Sequence, residues 1–100
     1  MTLRVHAEAA AEFDDAVFRY ENERSGLGAA FFAEVLRGIA TVEASPVTWP
    51  FFRKSTGVRR FLLTRFPYAL LYRIEAEAIH LLAVAHTKRL PGYWRARRLR

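Results

Sequence analysis

Apolar residues change their spacing twice along this chain. Thr2 to His6 alternates, with Leu3 and Val5 on one side, which predicts a short edge strand. From Ala7 the period lengthens. Phe13, Ala16, Val17 and Tyr20 recur at helical spacing and place one apolar stripe on a helix. Asp15 stands one turn before Arg19, a spacing that favours an ion pair. Ser25-Gly26-Leu27-Gly28 stops this helix, because glycine accepts the left-handed backbone of a helix end. A second helix is predicted from about Ala29, with Phe32, Val35, Leu36, Ile39 and Val42 as its stripe and Ala44-Ser45-Pro46 as its end. The short link makes the pair an antiparallel hairpin, whose acidic residues are read as a solvated face.

Pro46, Pro50 and Gly57 punctuate a loop. Trp49, Phe51 and Phe52 are too apolar to stay in water and are expected to plug one end of the core, while Arg53 and Lys54 stay solvated. Then the period falls to two. Val58 to Arg65, Tyr68 to Ile74 and Ala78 to His86 read as strands, separated by a bend at Phe66-Pro67 and a tight turn at Glu75-Ala76-Glu77. The last two strands are apolar at consecutive positions, such as Leu70-Leu71 and Leu81-Leu82, which predicts packing on both faces of the sheet. Gly92 to Arg100 is read as a short helix. The expected architecture is a single α+β domain over residues 1–100. An N-terminal helical hairpin packs on a three- to four-stranded, mainly antiparallel sheet, in the order β-α-α-β-β-β with a short C-terminal helix.

Composition adds a partner class. At 52% hydrophobic, 100 residues can bury a core. There is no cysteine, which excludes disulfides and fits a reducing cytoplasm. No signal-peptide pattern and no membrane-spanning apolar run is present. The net charge of +6 is unevenly divided: residues 1–50 carry four Arg and eight acids, and residues 51–100 carry twelve Lys or Arg and two acids. So basic a second half points to an anionic partner, nucleic acid or an acidic protein segment, rather than to a merely soluble surface.

Several side chains in that half can do chemistry. His86 ends a buried strand and titrates near neutral pH, so it suits acid–base work; the plainer reading is a histidine that orders the following loop. His80 is expected on the same strand face, in a structural role. Three scattered histidines make no metal site, and no cofactor is expected. Arg89 could clamp a phosphate or bind a helix acid and fix the tail. Tyr93 and Trp94 could stack on a base or close the core. Tyr72, in phase with Leu70 and Ile74, reads as core. Arg59 and Arg60 point to opposite faces of one strand.

Four stretches together resemble the RelE/ParE toxin superfamily of bacterial type II toxin–antitoxin systems. They are Tyr20-Glu21 running on to Gly26-Leu27-Gly28, then Ser45-Pro46-Val47-Thr48-Trp49-Pro50, then Arg59-Arg60-Phe61 with Phe66 to Tyr72, and finally Ala83 to Trp94. The resemblance implies a small basic cytoplasmic toxin that inhibits growth, serves plasmid stabilisation and is neutralised by an acidic segment of a cognate antitoxin. It implies no membrane partner. RelE-like members cut messenger RNA on the ribosome, and several place an arginine in the second main strand; here that position is Ala69. The departure favours the ParE-like branch, whose members poison DNA gyrase. The alternative is a ribosome-dependent endoribonuclease using His86, Arg89 and Arg60. Residues expected to bind antitoxin or target are Arg59, Arg65, Tyr68, Tyr93, Trp94 and Arg97. They are expected to line one cationic, tyrosine-rich groove roofed by the two acidic helices.

Overall fold

The computed structural model describes residues 1–52 and 57–97; the expectations for Arg53 and Lys54, and the end of the predicted tail helix, lie outside them. The elements are β1 (Thr2–Val5), α1 (Ala7–Glu23), α2 (Leu27–Ala44), β2 (Val58–Leu62), β3 (Tyr68–Glu75) and β4 (Ala78–His86). They form one sheet in the order β1-β4-β3-β2. β1 runs parallel to β4, and the other pairs are antiparallel. The helical hairpin covers one face.

His6 starts α1 by accepting a hydrogen bond from Glu8 N at its Nδ1, 3.0 Å. The hairpin link is built by Glu21. Its two carboxylate oxygens accept from the amides of Gly26 at 2.9 Å and Gly28 at 3.0 Å. These are orphan donors of a helix start, so α2 begins at Leu27, ahead of the predicted Ala29. Gly26 turns the chain with φ +90°, and Gly28 lets the helices touch.

α2 buries Phe31, Glu34, Val35, Gly38 and Val42. The expected stripe is therefore shifted: Phe32 and Leu36 are 45% and 46% exposed. Phe31 wins because Tyr20, Phe66 and Tyr68 surround its ring at centroid distances of 4.9–5.1 Å. Arg19 donates to the Tyr68 hydroxyl at 2.8 Å rather than pairing with Asp15.

β2 ends at Leu62, three residues before the predicted Arg65. Buried Glu34 takes both backbone amides of Thr64 and Arg65 on Oε2, at 2.8 and 2.9 Å, and draws the chain off the ladder. β4 carries a bulge: Leu71 faces Ala83, but Tyr72 faces Leu81. The extra residue leaves Leu82 and Ala83 on the same face, away from the helices. Alternation is thereby inverted, and His80 and His86 point to opposite faces, not the same one.

The sheet is packed on both faces, as expected. Phe61, Leu63, Tyr68, Leu70, Tyr72, Ile79, Leu81 and Val84 meet the helices. Val58, Ala69, Leu71, Leu82, Ala83 and Ala85 meet Trp94 and Phe52 on the far side. Over its described part the tail coils in turns, with Arg95 N bonded to Gly92 O and Arg97 N to Trp94 O, and the predicted short helix is absent there. Of the three loop aromatics, Trp49 packs edge-on against Phe61, Phe52 against Trp94, and Phe51 stays 55% exposed.

Candidate interaction site

The far face of the sheet carries a small hollow of about 60 Å³ where β2, β3 and the end of β4 meet the tail. Its floor is Ala69, Leu71, Ala85 and Trp94, and its rim holds Arg60, His86, Arg89, Leu62 and Leu90. Among the described residues no carboxylate lines it. Leu62 and Leu90 are 50% and 80% exposed, so the rim mixes free apolar groups with cations.

Each polar side chain of the rim is held differently. Arg89 lies over the Tyr93 ring, 3.7 Å from its centroid, and makes one long contact of 3.5 Å to Glu12. Arg60 leans toward the Phe52 ring at 5.8 Å. His86 accepts from Lys88 N at Nδ1, 3.1 Å, and packs edge-on against Tyr68. This is the geometry of a side chain that orders the loop after β4, and it commits one ring nitrogen.

Behind the hollow lies a polar joint. Glu12 on α1 receives a two-pronged bond from Arg97, both prongs 3.0 Å, and also the amide of Val84 at 3.0 Å. Arg97 in turn donates to Leu82 O at 2.9 Å. Glu12 thus serves the backbone next to the bulge and the tail at once. Burial works against the Arg97 charge, but the bond to Glu12 outweighs it and raises its pKa above the ordinary arginine value. Burial first, then the neighbouring Glu12 carboxylate, pushes the Tyr93 hydroxyl up to about 12. That hydroxyl lies near Glu12 but is buried outside hydrogen-bond geometry.

The predicted site residues therefore divide. Arg60, Arg89, Tyr93 and Trp94 converge on the hollow, and His86 borders it from the end of β4 while its ring packs on Tyr68 toward the helical face. Trp94 is its floor, 2% exposed. Arg97 sits behind it. Arg59 donates to the carbonyls of Val47 and Trp49, at 3.2 and 2.7 Å, and pins the loop before β2. Tyr68 is in the helical core at 3% exposure. Arg65 borders a separate, wider cleft of about 410 Å³ on the helical face, with Arg37, Thr41, Phe61 and Leu63. The single groove roofed by the helices is not what forms: the helices cover the opposite face from the hollow, and the bulge and the β2 turn distribute the arginines. Ala69 lies in the floor of the same hollow that Arg60 enters, so Arg60 shares the space around that position.

The acids of the hairpin were the residues missed. Glu12, Glu21 and Glu34 each hold backbone amides and are not a solvated face. Glu34 carried a signal, standing in phase with Phe31 and Gly38 on the buried side.

A hairpin of two helices on one face of a β1-β4-β3-β2 sheet, with a tail sealing the other, is the fold class defined here. It is met in a solved structure described as "Chromosomal ParDE TA system from P. aeruginosa": one of its chains superposes with a TM-score of 0.79 at 18% identity, covering 88% of this chain and 97% of that one. The ParE-like fold expected from the sequence is thus observed. No protein-family model matches the chain, and no curated protein does. Among the described residues no helix is long and apolar enough to cross a membrane.

Proposed function

We propose that this chain is the toxin of a type II toxin–antitoxin pair, ParE-like, acting in the cytoplasm by inhibiting DNA gyrase and neutralised by a cognate antitoxin. The observation that carries this reading is the likeness to a chain of a ParDE system over nearly the whole fold. The hollow supports the non-enzymatic branch. Its floor has a methyl group at Ala69, and its histidine spends Nδ1 on the backbone. An acid–base pair poised for ribose 2′-hydroxyl attack is not assembled there by the described residues.

A second reading, a ribosome-dependent messenger RNA endoribonuclease, is favoured by one fact: His86, Arg60 and Arg89 border the same hollow. Induced expression separates the two. Gyrase inhibition gives filamentous cells, an SOS response, gyrase-dependent DNA breaks and intact messages, and His86→Ala keeps that toxicity. Cleaved messages with stalled translation, abolished by His86→Ala, would transfer the chain to the nuclease branch. Full growth under strong expression would remove the toxin assignment altogether.

A further inference from the structure

The far face of the sheet carries a second polar tract, at the end away from the hollow. Strand register fixes its members. Arg4 on β1 faces His80 on β4, and His80 faces Arg73 on β3. Arg73 in turn faces buried Val58 on β2. Leu3 and Ile79, next to Arg4 and His80 in sequence, belong to the helical core, and Val58 belongs to the far-face core. Alternation therefore sets Arg4, His80 and Arg73 in one row on the far face, across three strands. Ala69, in the floor of the hollow, is roughly 13 Å along β3 from Arg73. Trp94, packed with Leu71 and Leu82, seals the stretch between them. The row is thus a separate place on the molecule.

Its two guanidiniums are uncommitted. Arg19, Arg59, Arg89 and Arg97 are spent inside the fold, on Tyr68, on loop carbonyls and on Glu12. Arg4 and Arg73 form no ion pair among the described residues. Arg4 is exposed; Arg73 is partly buried, and its Nε is shut off from water without an acceptor among those residues. A buried donor left unpaired is costly, so the fold gains when an acceptor reaches this fork. His80 lies between the two arginines, its Nδ1 3.7 Å from Glu75 Oε1, beyond hydrogen-bond length. Glu75, exposed at the corner by the turn, is the acid of the row. Two forks about 10 Å apart at their Cα atoms flank one imidazole. A carboxylate has two coplanar oxygens and is satisfied by one fork. A phosphoryl dianion has three terminal oxygens and can accept from both.

We propose that Arg4, His80 and Arg73 bind the terminal phosphoryl group of a small phosphate compound, a nucleotide or free phosphate. The anion draws the two forks together over the His80 ring and gives the Arg73 guanidinium the acceptor it lacks. Glu75 opposes the binding by like charge. The site does not depend on the toxin reading, since it lies away from the hollow and shares no residue with it.

The test uses the full chain, isotope-labelled, and four probes: inorganic phosphate, uridine 5′-monophosphate, acetate, and an oligouridylate without a terminal phosphate. Phosphate and the nucleotide are expected to shift the Nε–H signals of Arg4 and Arg73 and the ring signals of His80, saturably, and to leave those of Arg60 and Arg89 in place. A tighter nucleotide identifies the ester as the ligand; equal affinity identifies the free anion. Arg73→Lys keeps the charge and loses the fork, and is expected to weaken binding about ten-fold. Arg4→Ala, on an exposed edge strand, is expected to do the same. Glu75→Gln is expected to tighten binding about three-fold by removing a like charge. The idea is overturned if no probe shifts these signals saturably at millimolar concentration, or if acetate or the oligouridylate shifts them as strongly as the nucleotide. Binding unchanged by both Arg4→Ala and Glu75→Gln overturns it too. If Arg73→Lys does not fold, those two variants decide. Toxicity is not read at any point, so a chain that fails to inhibit gyrase can still pass, and a toxic chain can fail.

Discussion

Glu12 is the residue at which the helical layer, the sheet and the tail meet. Its side chain is 14% exposed and that of Arg97 is 9% exposed, so water screens their pairing weakly. Glu12→Ala removes the acceptor of Val84 N–H and the counter-charge of Arg97 together. We expect a loss of about 3 kcal/mol in urea unfolding, with Glu12→Gln intermediate because it keeps an acceptor for the amide. Equal stability of Glu12→Ala and the parent would mean that the joint is ornamental. Glu34→Ala is expected to cost about 2 kcal/mol by leaving the Thr64 and Arg65 amides without their acceptor. The role of Glu12 was not legible in the sequence, and of Glu34 only the phase with Phe31 and Gly38 was, not the amides it holds. A carboxylate that caps backbone needs a bulge or a bend to cap, and those arise only when the sheet is assembled. Arg59 is the reverse case: its basic character was plain, but the loop carbonyls it binds were not.

At the scale of elements, punctuation was informative and phase was not. The Gly26-Leu27-Gly28 link was visible because only glycine suits its geometry. A Cβ built on Gly28 would stand 2.6 Å from Val17 O, which is backbone and cannot yield cheaply. Gly28→Ala should therefore splay the hairpin and cost about 2 kcal/mol, measured by thermal or urea unfolding; an unchanged midpoint would disprove the close approach. The choice between Phe31 and Phe32 was not visible. The two side chains are adjacent in sequence, about 100° apart around the helix, and both are apolar. The ring cluster of Tyr20, Phe66 and Tyr68 decides it, and that is a tertiary fact. The bulge in β4 was hidden for a similar reason. Leu81, Leu82, Ala83 and Val84 are all apolar, so a slip of phase leaves no polar residue out of place.

For the molecule as a whole, the order of elements and the two-sided packing were legible. So was the charge division, because all three are sums over many residues and tolerate local error. The site was half legible: five expected residues share the hollow, and the groove imagined over them does not form. Tyrosine ionisation gives a global prediction. Burial is the leading cause that raises the pKa of Tyr20, Tyr72 and Tyr93, the last to about 12. The folded state holds these phenol protons more tightly than the unfolded chain, whose tyrosines ionise near 10. Their contribution is complete below pH 10 and is lost as pH rises toward 12. Urea midpoints should therefore fall across that window. Tyr93→Phe should reduce the slope without abolishing it, since Tyr20 and Tyr72 remain; an unaltered slope would show that Tyr93 titrates as if in water.

The parallel pairing of Thr2–Val5 with Ala78–Leu81 has a temporal meaning. On the ribosome, the opening strand is made long before the strand it docks on, and nothing synthesised in between can stand in for that mate. Until Phe66 and Tyr68 emerge, the nascent hairpin shows Phe31 to water, and until Leu81 emerges β1 has no strand to pair with. The interval between those two events is when this chain is most exposed to chaperones, proteases and its own sister copies.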